Sequence, residues 1–282
     1  MGESLSNWLQ LTAPLLHDVA DNPRGELRRL VEMTTGLSAV EQIASAETVL
    51  SDEQIQSLTG LVERRRTGEP LARILGRREF WGLELLTQGV TLDPRPDTET
   101  LIEQALTLCR AQPPKRILDL GTGSGALLLA LLSEFPDATG FGVDQSAATL
   151  ETAALNAERL GLDERAAFAA SDWFSAVEGD FDLIVSNPPY IPTKDLADLD
   201  VAVRDFDAPE ALDGGEDGLV FYRLTLEQAG AYLRDGGLLI LELGIGQATD
   251  VQQIGESEGW TMAALCEDLA GIPRAIALTR NS

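Results

Sequence analysis

The chain has 282 residues, 44% of them hydrophobic, enough to bury a sizeable core in one catalytic-sized domain plus a smaller one. Its 46 acidic residues against 21 basic ones give a formal net charge of -25, a surface that repels bare phosphate and disfavours a nucleic-acid groove. Two cysteines, Cys109 and Cys266, and one histidine, His17, lack the spacing of a zinc site, and neither a run of eighteen apolar residues nor a basic and apolar leader is visible, so a cytoplasmic protein with no metal and no membrane segment is expected.

Only Lys115 and Lys194 represent lysine. An acidic, lysine-poor composition is also that of a protein kept hydrated in high salt, where screening weakens the repulsion of phosphate.

Residues 1–75 carry helical periodicity, as in Leu5, Trp8 and Leu9 or Leu27, Leu30 and Val31, and predict a small helical bundle. Ser51 followed by Gln54 has the pattern of a capping box that opens a helix running through Arg66. The Arg64, Arg65, Arg66 run reads as a solvated helix end complementing the dipole, with recognition of an acidic partner as the alternative. Residues 79–92 predict a β-hairpin, so that residues 76–96 form a linker between two domains. Asp97 is expected to cap a helix that begins near Thr98.

Residues 116–120 predict a short buried strand running into Gly121, Thr122, Gly123, Ser124 and Gly125 and then an apolar helix to about Glu134. Glycines let backbone approach a ligand closely, and the helix N-terminus offers free N–H groups to a carboxylate or phosphate. Gly121, Gly123 and Ala126 also satisfy the looser dinucleotide fingerprint, so an NAD-binding dehydrogenase competes at this point. The third glycine, Gly125, and the acid Asp119 two residues before the loop favour S-adenosylmethionine, whose ammonium group NAD lacks.

The next strand, 139–143, ends on Asp144, 23 residues beyond Gly121 and close to the spacing of an acid that holds ribose hydroxyls; the alternative role is an N-cap for the helix starting near Ala147. A third strand, 166–170, ends in Ser171, Asp172 and Trp173, which places a carboxylate and an indole at the carboxyl edge of the sheet, where open α/β folds bind ligands. Trp173 is a candidate to flank the adenine, with core packing as the alternative.

A strongly apolar strand, 181–185, leads into Asn187, Pro188, Pro189 and Tyr190. The Asn187 side-chain oxygen and the Pro188 carbonyl can each accept a hydrogen bond from one NH2 group. Each proline pushes the residue before it toward extended geometry, so these acceptors are preset rather than ordered on binding. Tyr190 supplies a flat face to cover a planar substrate. Together they imply methyl transfer to a planar nitrogen. Residues 193–218 hold nine acids against Lys194 and Arg204, with little periodicity, and predict a long surface segment over the mouth of the site. Another apolar strand, 238–243, follows. Strands at 261–266 and 274–279 with a turn near Gly271 then predict a terminal antiparallel hairpin, which an all-parallel dinucleotide fold lacks.

With these pieces assembled, the chain resembles the HemK/PrmC family of protein glutamine methyltransferases within the class I methyltransferases. The matching segments are Gly68-Glu-Pro-Leu-Ala-Arg-Ile-Leu-Gly76, Glu79-Phe-Trp-Gly82, Pro94-Arg-Pro-Asp-Thr-Glu99, Asp119-Leu-Gly-Thr-Gly-Ser-Gly125, residues 187–191 and Ala211-Leu-Asp-Gly-Gly-Glu-Asp-Gly-Leu219. The resemblance covers essentially the whole chain. It implies an α/β fold: a seven-stranded Rossmann-like class I methyltransferase domain over residues 97–282, preceded by a helical substrate-recognition domain over residues 1–75 and the hairpin linker.

It also implies S-adenosyl-L-methionine as cofactor, class 1 peptide chain release factors as partners, and the glutamine of their Gly-Gly-Gln motif as the methylated residue. Arg73, where the family commonly has an aromatic residue, and Asp93, where it has an apolar one, depart from the pattern. A monomer with no general base, and with no residue whose ionisation switches the reaction on, is expected. Three other readings stay open: a glutamine methyltransferase of a ribosomal protein, an adenine amino-methyltransferase on nucleic acid, and a non-catalytic module that binds release factors.

Overall fold

In the computed structural model, which describes residues 3–87 and 92–280, the chain divides into two compact units: Met1–Arg77 with Val201–Phe206, and Arg78–Asp200 with Asp207–Ser282. The first unit contains helices α1 (Leu5–Thr12), α2 (Pro23–Thr35), α3 (Ala39–Ala44), α4 (Asp52–Arg66) and α5 (Leu71–Leu75). Leu5, Trp8, Leu9, Leu27, Leu30 and Val31 are all buried in its core with Leu58, Val62 and Ile74. The Ser51 and Gln54 capping box forms in both directions.

The arginine run behaves differently from its sequence reading. Arg64 and Arg66 pair with Glu69 and Glu63 near the surface, but Arg65 is 8% exposed, pairs with Glu26 at 2.7 Å and donates to the carbonyls of Val19 and Glu69. Its guanidinium closes the bundle core, because a cation carried under a helix must find acceptors there.

The hairpin is a two-stranded sheet of β1 (Arg77–Phe80) and β2 (Leu83–Leu86); residues 88–91 of the expected hairpin and linker lie outside the described residues. Helix α6 (Glu99–Cys109) follows a 3-10 turn over Pro96–Thr98. Asp97 does not cap it: its carboxylate pairs with Arg274 at 2.9 Å and the cap position falls on Thr98, whose hydroxyl is engaged elsewhere.

The chain then forms β3 (Arg116–Leu120), α7 (Ala126–Glu134), β4 (Thr139–Asp144), α8 (Ala147–Arg159), β5 (Ala166–Ala170), β6 (Phe181–Ser186), α9 (Val201–Arg204), α10 (Val220–Gln228), β7 (Leu233–Glu242), α11 (Ala248–Ser257), β8 (Trp260–Glu267) and β9 (Pro273–Arg280), all in the large unit except α9, which belongs to the helical unit. The seven strands run in the order β5-β4-β3-β6-β7-β9-β8, all parallel except β9, which pairs antiparallel with both neighbours. That is the seven-stranded mixed sheet expected from the sequence.

Alternation along the strands divides the core into two layers. Ile117, Leu183, Val185 and Ile240 face α6 and α7, while Leu118, Leu120, Ile184, Leu239 and Leu241 pack with Tyr222, Leu226 and Val251 of α10 and α11. Seven consecutive residues of α7, from Ala126, are buried, so this helix is apolar all round and its N-terminus is held firmly behind the glycine loop. Among the described residues no helix is long and apolar enough to cross a membrane.

Candidate active site

The strand order reverses direction between β3 and β6, and the carboxyl ends of these two central strands carry the two motifs read from the sequence. Leu120 pairs with Ser186, and the Ser186 hydroxyl donates to the Leu120 carbonyl at 2.7 Å, so the glycine loop and the Asn-Pro-Pro-Tyr turn leave the sheet side by side. Open α/β folds place their ligands at such a crevice.

Gly121 and Gly123 have φ of 71° and 55°, and a Cβ on either would meet no atom within 4 Å: the loop needs glycine for its backbone and leaves open ground beside it. The loop is fixed from behind. The N–H groups of Gly121 and Thr122 both donate to the Val143 carbonyl at 2.9 Å, and the buried Ser124 presents its carbonyl to Asn156, whose amide also binds both backbone groups of Leu86 in β2. Gly125 stands at the N-cap of α7.

Asp119 is 1% exposed and accepts the Thr122 hydroxyl at 2.6 Å. Burial pushes its carboxyl up to about 7, against the opposing effect of the Thr122 bond, and Asp144 raises it further. No salt bridge reaches Asp119 among the described residues. A buried carboxylate beside a hydroxyl and a second acid suits an ammonium ligand, so the donor set fits the amino-acid end of S-adenosylmethionine.

Asp144, at the end of β4, accepts the Gly123 N–H at 2.9 Å through Oδ2 and the Ser146 N–H at 2.9 Å through Oδ1. It does not cap α8; Ser146 does. Each carboxylate oxygen retains a further lone pair for a hydroxyl donor. Trp173 is half-buried with φ of 49°, in a turn held by the Ser171 hydroxyl, and its ring stacks on Phe221 with centroids 4.8 Å apart.

The Asn187 amide nitrogen donates to the Thr98 hydroxyl at 3.1 Å, and no bond to its Oδ1 occurs among the described residues; the Pro188 carbonyl is likewise without a donor there. The Tyr190 hydroxyl donates to Glu242 at 3.3 Å, and its phenol is driven well above the usual range by burial and by the Glu242 charge. Glu242, 1% exposed at the end of β7, also accepts the Thr98 hydroxyl at 2.6 Å, and burial pushes its carboxyl up to about 7.

Thr98 and Glu242 were not among the residues singled out from the sequence. The signal was faint: Glu242 is the lone acid ending a long apolar strand, and Thr98 lies inside the Pro94 to Glu99 segment.

The acidic segment after the motif is more ordered than a surface loop. It forms 3-10 turns at Thr193–Asp198 and Pro209–Ala211 and the helix α9, and residues Val201–Phe206 join the helical unit. Its return is bonded to the motif itself: Ile191 donates to the Leu212 carbonyl at 3.0 Å and Gly214 donates to the Ile191 carbonyl at 2.8 Å. A Cβ on Gly214 would lie 2.8 Å from the Tyr190 Cα, which explains that glycine, while Gly215 beside it has φ of 86°. Gln247 completes the support by donating to the Tyr190 carbonyl at 2.9 Å.

Family models match in two places: the PrmC N-terminal domain over residues 7–76 and the methyltransferase small domain over residues 97–216. The release factor glutamine methyltransferase of Rhodospirillum rubrum is 45% identical over 262 residues, covering 93% of this chain and 80% of that protein. The protein of the same name from Escherichia coli K12 is 42% identical over 265 residues, covering 93% of this chain and 94% of its own. Among solved structures, the hMettl16 catalytic domain in complex with a MAT2A 3'UTR hairpin aligns with a TM-score of 0.59 at 16% identity, over 75% of this chain and 82% of that one, and so shares the fold. A Pyrococcus furiosus methyltransferase aligns with a TM-score of 0.52 at 20% identity, over 71% and 90%. With both of its units matched by family models and curated relatives this similar along nearly its full length, the chain belongs to the release factor glutamine methyltransferase family.

Proposed function

We propose that this chain transfers a methyl group from S-adenosylmethionine to the side-chain amide nitrogen of the glutamine in the Gly-Gly-Gln motif of class 1 release factors. The observation that carries the reading is the orientation of Asn187: with its nitrogen committed to Thr98, Oδ1 and the Pro188 carbonyl are two acceptors at the crevice where the glycine loop lies. When bound, the cofactor supplies a methyl on a sulfonium. Transfer would exchange the carbon–sulfur bond for the new carbon–nitrogen bond, with S-adenosylhomocysteine as the leaving group.

An amide nitrogen is a poor nucleophile because its lone pair is delocalised. Asn187 and Pro188 hold both of its N–H groups, which points the lone pair at the methyl and favours positive charge as the nitrogen pyramidalises. The attached proton is acidic only once that charge has formed, and it then leaves to water. Pro189 stiffens the turn, and Tyr190 covers the substrate plane. Asp119, Gly121, Thr122, Gly123, Ser124 and Gly125 would hold the amino-acid end of the cofactor, Asp144 the ribose hydroxyls, and Trp173 would flank the adenine. The helical unit recognises the release factor. The enzyme acts as a cytoplasmic monomer, and its charge of -25 disfavours direct contact to nucleic acid.

Mass spectrometry of a purified, unmodified release factor after incubation with the protein and S-adenosylmethionine, at low and high salt, tests this. A gain of one methyl on that glutamine is expected. No gain at either salt with cofactor binding intact overturns the substrate and points to a ribosomal protein or a nucleic acid.

A further inference from the structure

Thr98 and Glu242, far apart in sequence, are linked to Asn187 through one hydroxyl. The Thr98 hydroxyl has a single proton, and it lies 2.6 Å from Oε2 of Glu242 and 3.1 Å from Nδ2 of Asn187. An ionised carboxylate only accepts, and Glu242 accepts from Thr98 and from the Tyr190 hydroxyl. With Glu242 ionised, the Thr98 proton is committed to it, and the Thr98 oxygen can serve Asn187 only as an acceptor. That oxygen attracts the NH2 end of the Asn187 amide and turns Oδ1 away. An asparagine without such a neighbour has two nearly isosteric orientations, and one of them offers NH2 where the other offers oxygen.

We propose that Thr98 and Glu242 are positioning residues that lock Asn187 with its oxygen toward the substrate, so that the site accepts an amide NH2 and rejects a carboxylate. This rests on the glutamine reading above. A glutamate side chain would bring acceptors against Oδ1 and the Pro188 carbonyl, neither of which has a proton to give, and buried polar groups left unpaired discriminate strongly. The lock depends on the charge of Glu242, which faces Arg274 from β9, Asp97 from the turn before α6 and the Tyr190 phenol. A protonated Glu242 can donate to Thr98, which releases the Thr98 proton toward Asn187 and favours the opposite amide orientation.

The test compares Thr98→Val, Thr98→Ser and Glu242→Gln with the wild type. In a spectrum of protein labelled with 15N-asparagine, the Asn187 side-chain NH2 of the wild type should show one slowly exchanging proton. Thr98→Val should lose that protection and Thr98→Ser should keep it, an outcome independent of which substrate the enzyme modifies. With release factor, Thr98→Val should lower kcat roughly tenfold to a hundredfold, the loss expected for about 1–3 kcal/mol of orientation, with little change in the KM for S-adenosylmethionine. A release factor carrying glutamate in place of the target glutamine should inhibit Thr98→Val better than wild type. Glu242→Gln should follow Thr98→Val in all three readouts; if it fails to fold, the threonine pair decides alone. Unchanged amide protection in Thr98→Val, or a wild-type kcat with glutamate still excluded, overturns the lock. An inactive wild type with normal amide protection would instead count against the release-factor substrate and leave the lock standing.

Discussion

The N–H of Gly123 donates to Oδ2 of Asp144 at 2.9 Å, so the glycine loop after β3 is pinned by the acid that ends β4. One side chain thus shapes the loop and, in the function proposed above, also takes the ribose hydroxyls. Asp144→Ala removes an acceptor from two backbone N–H groups as well as the hydroxyl site. Calorimetric titration should show affinity for S-adenosylmethionine falling by about tenfold to a hundredfold, as for loss of one or two hydrogen bonds to a charged group. Asp144→Asn keeps the shape and one acceptor and should lose less; equal affinity in all three proteins would remove Asp144 from the cofactor site.

Cofactor binding should depend on pH through Asp119. Burial holds its carboxyl near 7, so the free protein retains a proton there through the range where ordinary carboxylates have lost theirs. The sign follows: this raised group favours the folded state at low pH, and that stability is lost as pH rises through about 7, while the ammonium ligand needs the ionised form. Affinity for S-adenosylmethionine should therefore weaken below pH 7, approaching tenfold per unit where only the ionised form binds, with proton release on binding. Asp119→Asn should flatten this dependence. A flat profile in the wild type would contradict the assignment.

The backbone of the Asn-Pro-Pro-Tyr turn should be sensitive to volume added behind it. A Cβ on Gly214 would meet the Tyr190 Cα at 2.8 Å and the Pro189 carbonyl oxygen at 2.9 Å, both backbone atoms with no rotamer to yield. Gly214→Ala should lower kcat by an order of magnitude or more through misplaced acceptors, since small displacements of positioned groups slow reactions steeply. Affinity for S-adenosylmethionine should hold near the wild-type value. A loss confined to cofactor binding would show that the segment serves the other half of the site.

In the helical unit, Arg65→Ala should be strongly destabilising, although the sequence presents the residue in a run of surface charge. It would leave Glu26 without its partner and the Val19 carbonyl without its donor. Breaking a buried pair by removing one member costs about 3–5 kcal/mol, here tempered because Glu26 keeps 19% of its side chain exposed. Arg66→Ala, from an exposed pair, should change the melting temperature little.

The elements that the sequence disclosed share a local cause. The glycine loop, the Asn-Pro-Pro-Tyr turn, the Ser51 cap and the terminal hairpin are each specified within a short contiguous stretch, by φ preference, proline geometry or period-two apolar pattern. What stayed hidden depends on partners far away in the chain. Thr98 and Glu242 are 144 residues apart, and Arg65 and Glu26 are 39 apart. Asp97 has the composition of an N-cap, yet Arg274 outcompetes the helix for it once β9 folds alongside. Trp173 has one face taken by Phe221, a residue that no spacing ties to it.

Asn187 gives the sharpest separation of folding from chemistry. Its nitrogen supplies one hydrogen bond to Thr98, and that hydroxyl keeps its stronger contact to Glu242 when Asn187 is shortened. Asn187→Ala should accordingly fold with a melting temperature within a few degrees of the wild type and bind S-adenosylmethionine. Its kcat should fall by about 10²–10³, the loss typical of removing one group aimed at developing charge. Asn187→Asp is a more pointed variant. A carboxylate there retains the acceptor for the substrate but faces Thr98 with oxygen in place of NH2, and it adds a negative charge next to the buried Glu242. It should fold less stably than Asn187→Ala at pH 8 and recover stability as pH falls toward 6, because protonating either acid relieves the repulsion. Thermal melts at the two pH values, with single-turnover methyl transfer at each, separate these effects. Wild-type turnover in Asn187→Ala would remove the motif from the reaction.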